Sequence, residues 1–426
     1  MRPVPLLWAA FLASTSLGCS SSEGTPPPGP GTGGSTAGSS GSGGALAGSG
    51  GSQAGTGGTG GVSGGSGGGG SGGEAGSAGS CTTLLCDPLA EMPMSIKDTG
   101  LFPAAPDLSQ HPPEMLEYVP DPPLWSDGME KQRFIILPAG TQIDTTNRQQ
   151  WVFPEGTIFV KTFFDDSGPA GAPRPIETRL IRLAMDGFYE FFLYQWNEDS
   201  TDATLLVDDI AGNVNTETPV NITVNHTSGG QQIVINGGQP FEHTLPSRNS
   251  CGACHETNAT VRQTFIGFDE LRLNSKLTPD APTTQLQAFA DAGLFTQPLP
   301  ADPATITDDS ADGGRLLRIK RFVFGNCVSC HNGQGNVDFS PDVFVANTVN
   351  QPTESQSVEP PPGWLRVVPG DPSTSVLYVQ MERINIPEPV DGMNRLRPMP
   401  PVGLADVAVE PTSLQDVYDW ISALPP

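Results

Sequence analysis

Positive charge and histidine are both scarce in this chain of 426 residues. Lys and Arg number 21 against 46 Asp and Glu, and there are only 5 His, so the formal net charge is −25 at pH 7. Only Arg2, Glu23 and Glu74 are charged before residue 81, so 20 of the 21 basic and 44 of the 46 acidic side chains come later. Because phosphate binding needs a basic face, this balance argues against nucleic acid as a partner. It favours solubility and a basic partner protein.

The apolar stretch near the N-terminus is short. It runs from Leu6 to Ala13, and it is too short to span a bilayer after cleavage. It leads into Ser16-Leu17-Gly18-Cys19, which resembles the lipobox of bacterial lipoproteins, although Ser16 stands where an aliphatic residue is usual. The resemblance implies that residues 1–19 are a signal peptide and that Cys19 is acylated. The protein is then exported and lipid-anchored at the periplasmic side, the outer membrane or the cell surface; an ordinary secretory signal is the alternative.

Bulky side chains are nearly missing from residues 20–80, which consist almost wholly of Gly, Ser, Ala and Thr. Such a segment cannot bury a core, so we predict a flexible tether with an average reach of about 40–45 Å. Cys81 and Cys86 follow at once. In an oxidising compartment their spacing predicts a short disulfide that staples the segment 81–114, with a shared metal site as the alternative.

Residues 115–245 contain short runs of β-branched and aromatic residues that are separated by Pro, Gly, Asn and Asp. Many short, evenly spaced strands predict a β-sandwich-like domain. After residue 246 the pattern becomes helical. Helices are predicted from Thr284 to Ala292, over 312–326, around Met381, and at the end of the chain, where Ser413 is the expected N-cap. The expected fold is multidomain, with a β-sandwich-like domain followed by a mostly α part.

Two Cys-x-x-Cys-His motifs carry the strongest chemical signal, and they are formed by Cys251, Cys254, His255, Cys327, Cys330 and His331. The two thiols of such a motif form thioethers with the haem vinyl groups, and the adjacent histidine binds the iron. A zinc site built from the four cysteines is the alternative, but it would need neither histidine. We therefore predict two covalently bound haem c groups, one in the segment 246–311 and one in 312–426.

The second motif resembles the cytochrome c family. An apolar helix precedes it, and Arg397-Pro398-Met399-Pro400-Pro401 lies before a final helix, where that family places its distal thioether. The resemblance implies that 312–426 is a cytochrome c-like domain and that Met399 is the sixth iron ligand; Met381 and Met393 are the alternatives. Ligation by His and Met suits electron transfer.

The first motif has no comparable methionine, because none lies between His255 and Met381. His243 is a candidate distal ligand for the first iron, and a surface or turn role is its alternative. The other candidates lie further upstream, namely His226, His111, Met129 and Met115. A third alternative is an open sixth position that would bind a small ligand such as peroxide.

A wider resemblance covers residues 115–426. The chain resembles exported dihaem c-type cytochromes of proteobacteria that have a β-rich N-terminal region. The stretches that carry the likeness are Leu124–Gly128, Trp151–Thr157, Glu177–Arg179, Tyr194–Glu198, Thr201–Thr204, Pro246–Cys251 and Ile266–Leu271 with Leu273 and Asn274. This family implies a haem protein with unassigned partners rather than an established reaction.

Three functions fit these features. The first is a membrane-anchored electron carrier between redox partner proteins, and we favour it over a catalyst. The second is a dihaem peroxidase-like enzyme with an open-site first haem. The third is a surface binding lipoprotein whose β domain recognises a ligand and whose haems are accessory.

Overall fold

The computed structural model describes residues 83–185, 187–207, 217–228, 231–255, 265–307, 312–333, 337–353, 362–382, 399 and 411–426. The predicted signal peptide with Cys19, the tether and Cys81 lie outside these residues. Cys86 is disulfide-bonded. All described residues belong to one compact unit.

Most strands form a six-stranded antiparallel meander in the order β1-β2-β3-β4-β5-β6. Its strands are β1 (Leu116–Glu117), β2 (Glu130–Ile136), β3 (Ile158–Asp165), β4 (Arg174–Leu183), β5 (Tyr189–Trp196) and β6 (Ala203–Leu205). The other strands form two-stranded ribbons. They are β7 (Thr218–Ile222), which pairs with β10 (Phe241–Leu245), and β8 (Asn225–Ser228), which pairs with β9 (Gln231–Val234).

The two faces of the meander are both covered, because side chains alternate along each strand. One face carries Phe134, Val160, Leu180 and Tyr194 and packs against apolar residues of the segment 84–108. The opposite face is covered by two further groups. Aromatic residues between 265 and 295 pack at one end of it, and the β7–β10 ribbons and the later helices pack at the other.

Seven α-helices follow the strands. They are α1 (Arg248–His255), α2 (Glu270–Leu273), α3 (Gln285–Asp291), α4 (Arg315–Asn326), α5 (Phe344–Thr348), α6 (Val376–Glu382) and α7 (Pro411–Ala423) within the part of the chain that the structure describes. The predicted helices near 284–292, 312–326 and Met381 are confirmed. Thr284 caps α3, since its side chain accepts the N–H of Gln287. The expected cap at Ser413 is wrong: α7 begins at Pro411, so Ser413 lies inside the helix.

The β-rich region and the helices share one continuous apolar core. Trp125, Phe163 and Leu193 from the β region are buried in the same cluster as Val323 and Trp420 from α4 and α7. Apolar burial of this kind is the main stabilising contribution in folding. The predicted order, a β-rich region followed by helices, is confirmed.

The contact between the two regions is close at the end of α4. A Cβ atom placed on Gly325 would lie 2.3 Å from the carbonyl oxygen of Pro123, so only glycine fits there. The next residue, Asn326, accepts the backbone N–H of Trp125 at 2.7 Å and donates to the carbonyl oxygen of Phe322 at 2.9 Å. None of the described helices is long and apolar enough to cross a membrane.

Candidate functional site

The second Cys-x-x-Cys-His motif forms a tight turn directly after α4. The N–H of Cys327 still donates to Val323 at 2.8 Å, as in a last helical turn. The N–H groups of Cys330 and His331 then both donate to the carbonyl oxygen of Cys327, at 3.1 and 2.8 Å. Cys327, Cys330 and His331 therefore lie together in one compact turn at the end of α4. Burial raises the pKa of Cys327 to about 12, so its unreacted thiol is protonated.

His331 is available as a ligand. Its Nδ1 is buried and has no hydrogen-bond partner among the described residues. Its ring stacks on Phe339, with the ring centroids 4.7 Å apart and the planes 23° apart, and this contact fixes the orientation of the imidazole. Burial, helped by the charge of Arg366, lowers the pKa of His331 and favours the neutral imidazole, which is the form that binds metals. These residues fit a haem iron.

Two methionines lie close to α6. Met399 is half-buried, and its backbone N–H donates to the carbonyl oxygen of Gln380 at 3.0 Å. Met381 is 1 % exposed and belongs to the same core cluster as Cys327 and Phe339. Both therefore stay candidates for the sixth ligand. Met393 lies outside the described residues.

The first motif lies on α1, which packs against the meander. Cys251 and His255 both line a pocket between α1 and strands β3, β4 and β5, with about 710 Å³ of space that is partly open to solvent. Cofactor pockets are commonly lined mainly by apolar and aromatic side chains. Aromatic walls meet this description, and they are formed by Tyr118, Phe159, Phe191, Phe192 and Phe265. Cys254 lies in α1, but its side chain is outside the described residues.

A second pocket lies between the first motif and the end of α4. It holds about 340 Å³ of space, and both His255 of α1 and Gly325 of α4 line it. Gly325 is two residues before Cys327. Lys161 and Ile266 line this pocket as well as the first one. This pocket therefore extends from His255 of the first motif to the end of α4, two residues before the second motif.

Comparison with known proteins gives no relative: no protein-family model, curated protein or solved structure matches this chain. Among the described residues there is also no group of three or more His, Cys, Asp or Glu that could hold a metal ion by itself. The chemistry of the site must therefore be argued from its own residues.

His243 does not lie beside the first motif as a free ligand. It is 3 % exposed, and its two ring nitrogens face two fully buried carboxylates. Nδ1 lies 3.0 Å from Asp127, and Nε2 lies 3.4 Å from Glu177. An iron bond from either nitrogen would displace a carboxylate, so the geometry speaks against the distal role that we considered for His243. This cluster was not predicted from the sequence. In the structure, Asp127 has a positive φ of 49° directly before Gly128.

The other upstream candidates for a distal ligand are also engaged elsewhere. His226 contacts Asp166 through Nδ1 at 2.8 Å, and His111 packs on Phe134 with the ring centroids 4.5 Å apart. Met129 and Met115 are fully buried in two different core clusters. As far as the structure describes the lining, neither pocket at His255 includes any of these four residues or a methionine.

Three cations near the first motif were also missed from the sequence; two of them, Arg133 and Arg179, are buried, and Lys161 is half-buried. Arg133, Lys161 and Arg179 lie directly opposite one another on the neighbouring strands β2, β3 and β4. Lys161 interrupts an apolar run, but strand pairing decides whether the three cations meet. Burial lowers the pKa of Lys161 well below its usual range, and the charges of Arg179 and Arg133 lower it further.

Proposed function

We propose that this protein is an exported, lipid-anchored dihaem c-type cytochrome that carries electrons between redox partner proteins. The observation that carries the proposal is the turn Cys327–His331. It holds both cysteines and His331 in one compact turn, and the Nδ1 of His331 has no partner among the described residues. Covalent attachment of haem c requires this arrangement of two thiols and an adjacent histidine.

Each motif has a defined task in this proposal. The paired cysteines hold the porphyrins, and His255 and His331 bind the irons on the proximal side. Phe339 keeps the ring of His331 in a fixed plane through the stacking contact. Met399 is the proposed sixth ligand of the second iron. The haems supply one-electron chemistry when bound, and the protein tunes it through ligands, burial and charge.

The pocket lined by His255 and Gly325 supports electron transfer between the two proposed haems. His255 of the first motif and Gly325, two residues before the second motif, line this same small space. The acidic surface supports docking of a basic partner, because complementary charge accelerates encounter. The family that the sequence resembles has the same composition of β-rich and haem-bearing parts.

Purified full-length protein tests the proposal by intact mass and by the pyridine haemochrome spectrum. We expect a mass increase of two haems and a spectrum of haem with two thioether bonds. The double variant Cys251→Ser/Cys254→Ser should lose one haem and keep the other, and Cys327→Ser/Cys330→Ser should do the reverse. Cys86→Ser is the matched control and should keep both. A chain exported and folded without bound haem, or with zinc instead, would refute the proposal.

A peroxidase-like function is a second candidate. It is favoured by the described lining of the pockets at His255, which includes no methionine and no second histidine. An iron without a sixth protein ligand binds small molecules. If the first haem is high-spin and its spectrum changes on addition of peroxide or cyanide, this candidate replaces the electron carrier. If both haems are low-spin and neither spectrum changes with peroxide or cyanide, the peroxidase-like function is excluded.

A further inference from the structure

The pockets at the first motif are basic in a protein that is strongly acidic. Five cations line them, namely Arg133, Lys161, Arg179, Arg248 and Arg272. No carboxylate is among the described lining residues of either pocket. The chain has more than twice as many acidic as basic residues, so this local excess of positive charge is opposite to the surrounding composition.

Three of these cations form a row across the sheet. Arg133 pairs with Lys161 in register, and Lys161 pairs with Arg179. Like charges directly opposite each other in a sheet are destabilising. They are also costly to bury, since a buried charge requires a partner of opposite sign. The row therefore costs stability unless negative charge lies against it.

The carboxylate beside this row, Glu177, already has partners within the protein. Glu177 binds the guanidinium of Arg179 through both of its oxygens and also faces His243. It neutralises one end of the row. Lys161, in the middle, has no hydrogen bond or ion pair with any residue that the structure describes; its ammonium lies 5.9 Å from the ring centre of Phe163.

Cys251 lies within electrostatic reach of the same cations. The charges of Arg179, Lys161 and Arg248 all act on its thiol, although burial still raises the pKa of that thiol. His255 lines both pockets together with Lys161. The row and the first motif thus enclose one space, and a group attached at Cys251 would share it with the cations.

We propose that the row Arg133–Lys161–Arg179 binds an oxyanion at the first haem site. The inference rests on the proposed function and adds to it the chemical class of the ligand that the pocket holds. Two sources supply that chemistry, the propionate carboxylates of the attached haem and a free small oxyanion. Guanidinium and ammonium groups bind carboxylates and other oxyanions through charge-assisted hydrogen bonds.

Lys161→Met in the full-length, haem-loaded protein is the decisive variant, because it removes the central charge and keeps an apolar side chain of similar length. Lys131→Met is the matched control. Lys131 is buried on the same strand as Arg133 and points to the same face, but it lines neither pocket at His255, and its ammonium donates to the carbonyl oxygen of Met129 at 2.9 Å. Lys161→Arg keeps the charge and should behave as the wild type.

Two measurements distinguish the sources. The first is a spectroelectrochemical titration of both haems, and the second is thermal unfolding with increasing phosphate or formate. If a propionate occupies the row, Lys161→Met lowers the midpoint potential of the first haem but not that of the second, and added anions have no saturable effect. If a free oxyanion occupies it, phosphate or formate stabilises the wild type in a saturable way, and Lys161→Met abolishes this stabilisation.

The inference is overturned if Lys161→Met shifts the first potential no more than Lys131→Met does and no saturable anion effect exists. Intact mass of the wild type separates this result from failure of the proposed function. A protein without haem at Cys251 and Cys254 refutes the proposed function. The anion titration then still decides whether the row binds an oxyanion.

Discussion

Gly325→Ala tests the contact that joins the β region to α4, because two physical effects of this substitution have opposite signs. Alanine is the better helix former, so helix propensity alone would stabilise the protein by about 0.8–1 kcal/mol. The structure predicts the reverse. The new Cβ would lie 2.3 Å from the carbonyl oxygen of Pro123 and 3.2 Å from its carbon, both backbone atoms that cannot rotate away.

The size of the loss in stability depends on how far α4 must move away from Pro123. Opening the contact to an ordinary distance forces α4 away from Pro123, and overpacking of this kind costs about 1–3 kcal/mol. The shift also weakens the buried hydrogen bond from the N–H of Trp125 to Asn326. A buried donor left without its acceptor costs about 1–3 kcal/mol. With the gain in propensity subtracted, we expect a net loss of about 1–5 kcal/mol in the free energy of unfolding.

Urea unfolding of the full-length protein measures this loss. Ser422→Ala is the control, since Ser422 is exposed on α7 and its substitution changes helix propensity without a steric contact; we expect a change of no more than about 0.5 kcal/mol. Asn326→Ala, which keeps Gly325, removes the acceptor for the N–H of Trp125 and should cost at least about 1–3 kcal/mol. A Gly325→Ala protein that is as stable as the wild type, or more stable, would show that the close contact with Pro123 does not exist.

Two further predictions concern the iron ligand and the buried histidine. Met399→Ala should convert one haem from low to high spin, as seen in the absorption spectrum. Met381→Ala should leave the spectrum unchanged and lower the free energy of unfolding by about 2–5 kcal/mol, as expected for a buried methionine. If Met381→Ala changes the spin state and Met399→Ala does not, Met381 is the ligand. Burial opposes the charged form of His243, but hydrogen bonds to Asp127 and Glu177 outweigh it and raise its pKa above 6.5. Its contribution to stability is therefore complete below about pH 6.5 and is lost as the pH rises through the raised value. In His243→Gln the free energy of unfolding should no longer fall above pH 6.5 for this reason. If the variant shows the same pH dependence as the wild type, His243 is not stabilised by Asp127 and Glu177 in the way described.

Regular periodicity made part of the fold predictable. The apolar runs in β2 and β3, the alternation in β4 and β5 and the helical patterns of α3, α4 and α7 are local features, so a single sequence reveals them. The spacing of the two Cys-x-x-Cys-His motifs is local as well. Their residues could be named from the sequence, and the structure adds that one pocket is lined by His255 of the first motif and by Gly325, two residues before the second motif.

Contacts between distant residues were not predictable in the same way. The row of Arg133, Lys161 and Arg179 depends on strand register, and a slip of one residue would turn a whole strand to its other face. His243 meets Asp127 across 116 positions of sequence. From the sequence alone it was an isolated histidine after a short strand, and nothing local indicated its two carboxylate partners.

The hydrogen bond between Trp125 and Asn326 joins residues that are 201 positions apart. Closing so long a loop is entropically costly and slows folding, because the cost precedes the stabilising contacts. During synthesis the core cannot form completely until α4 has been made. Until then an apolar edge of the β region stays exposed. We expect the chain to stay open during its synthesis. For the export that we propose, this delay is useful, since an unfolded chain leaves Cys251 accessible to modification before the core forms around it.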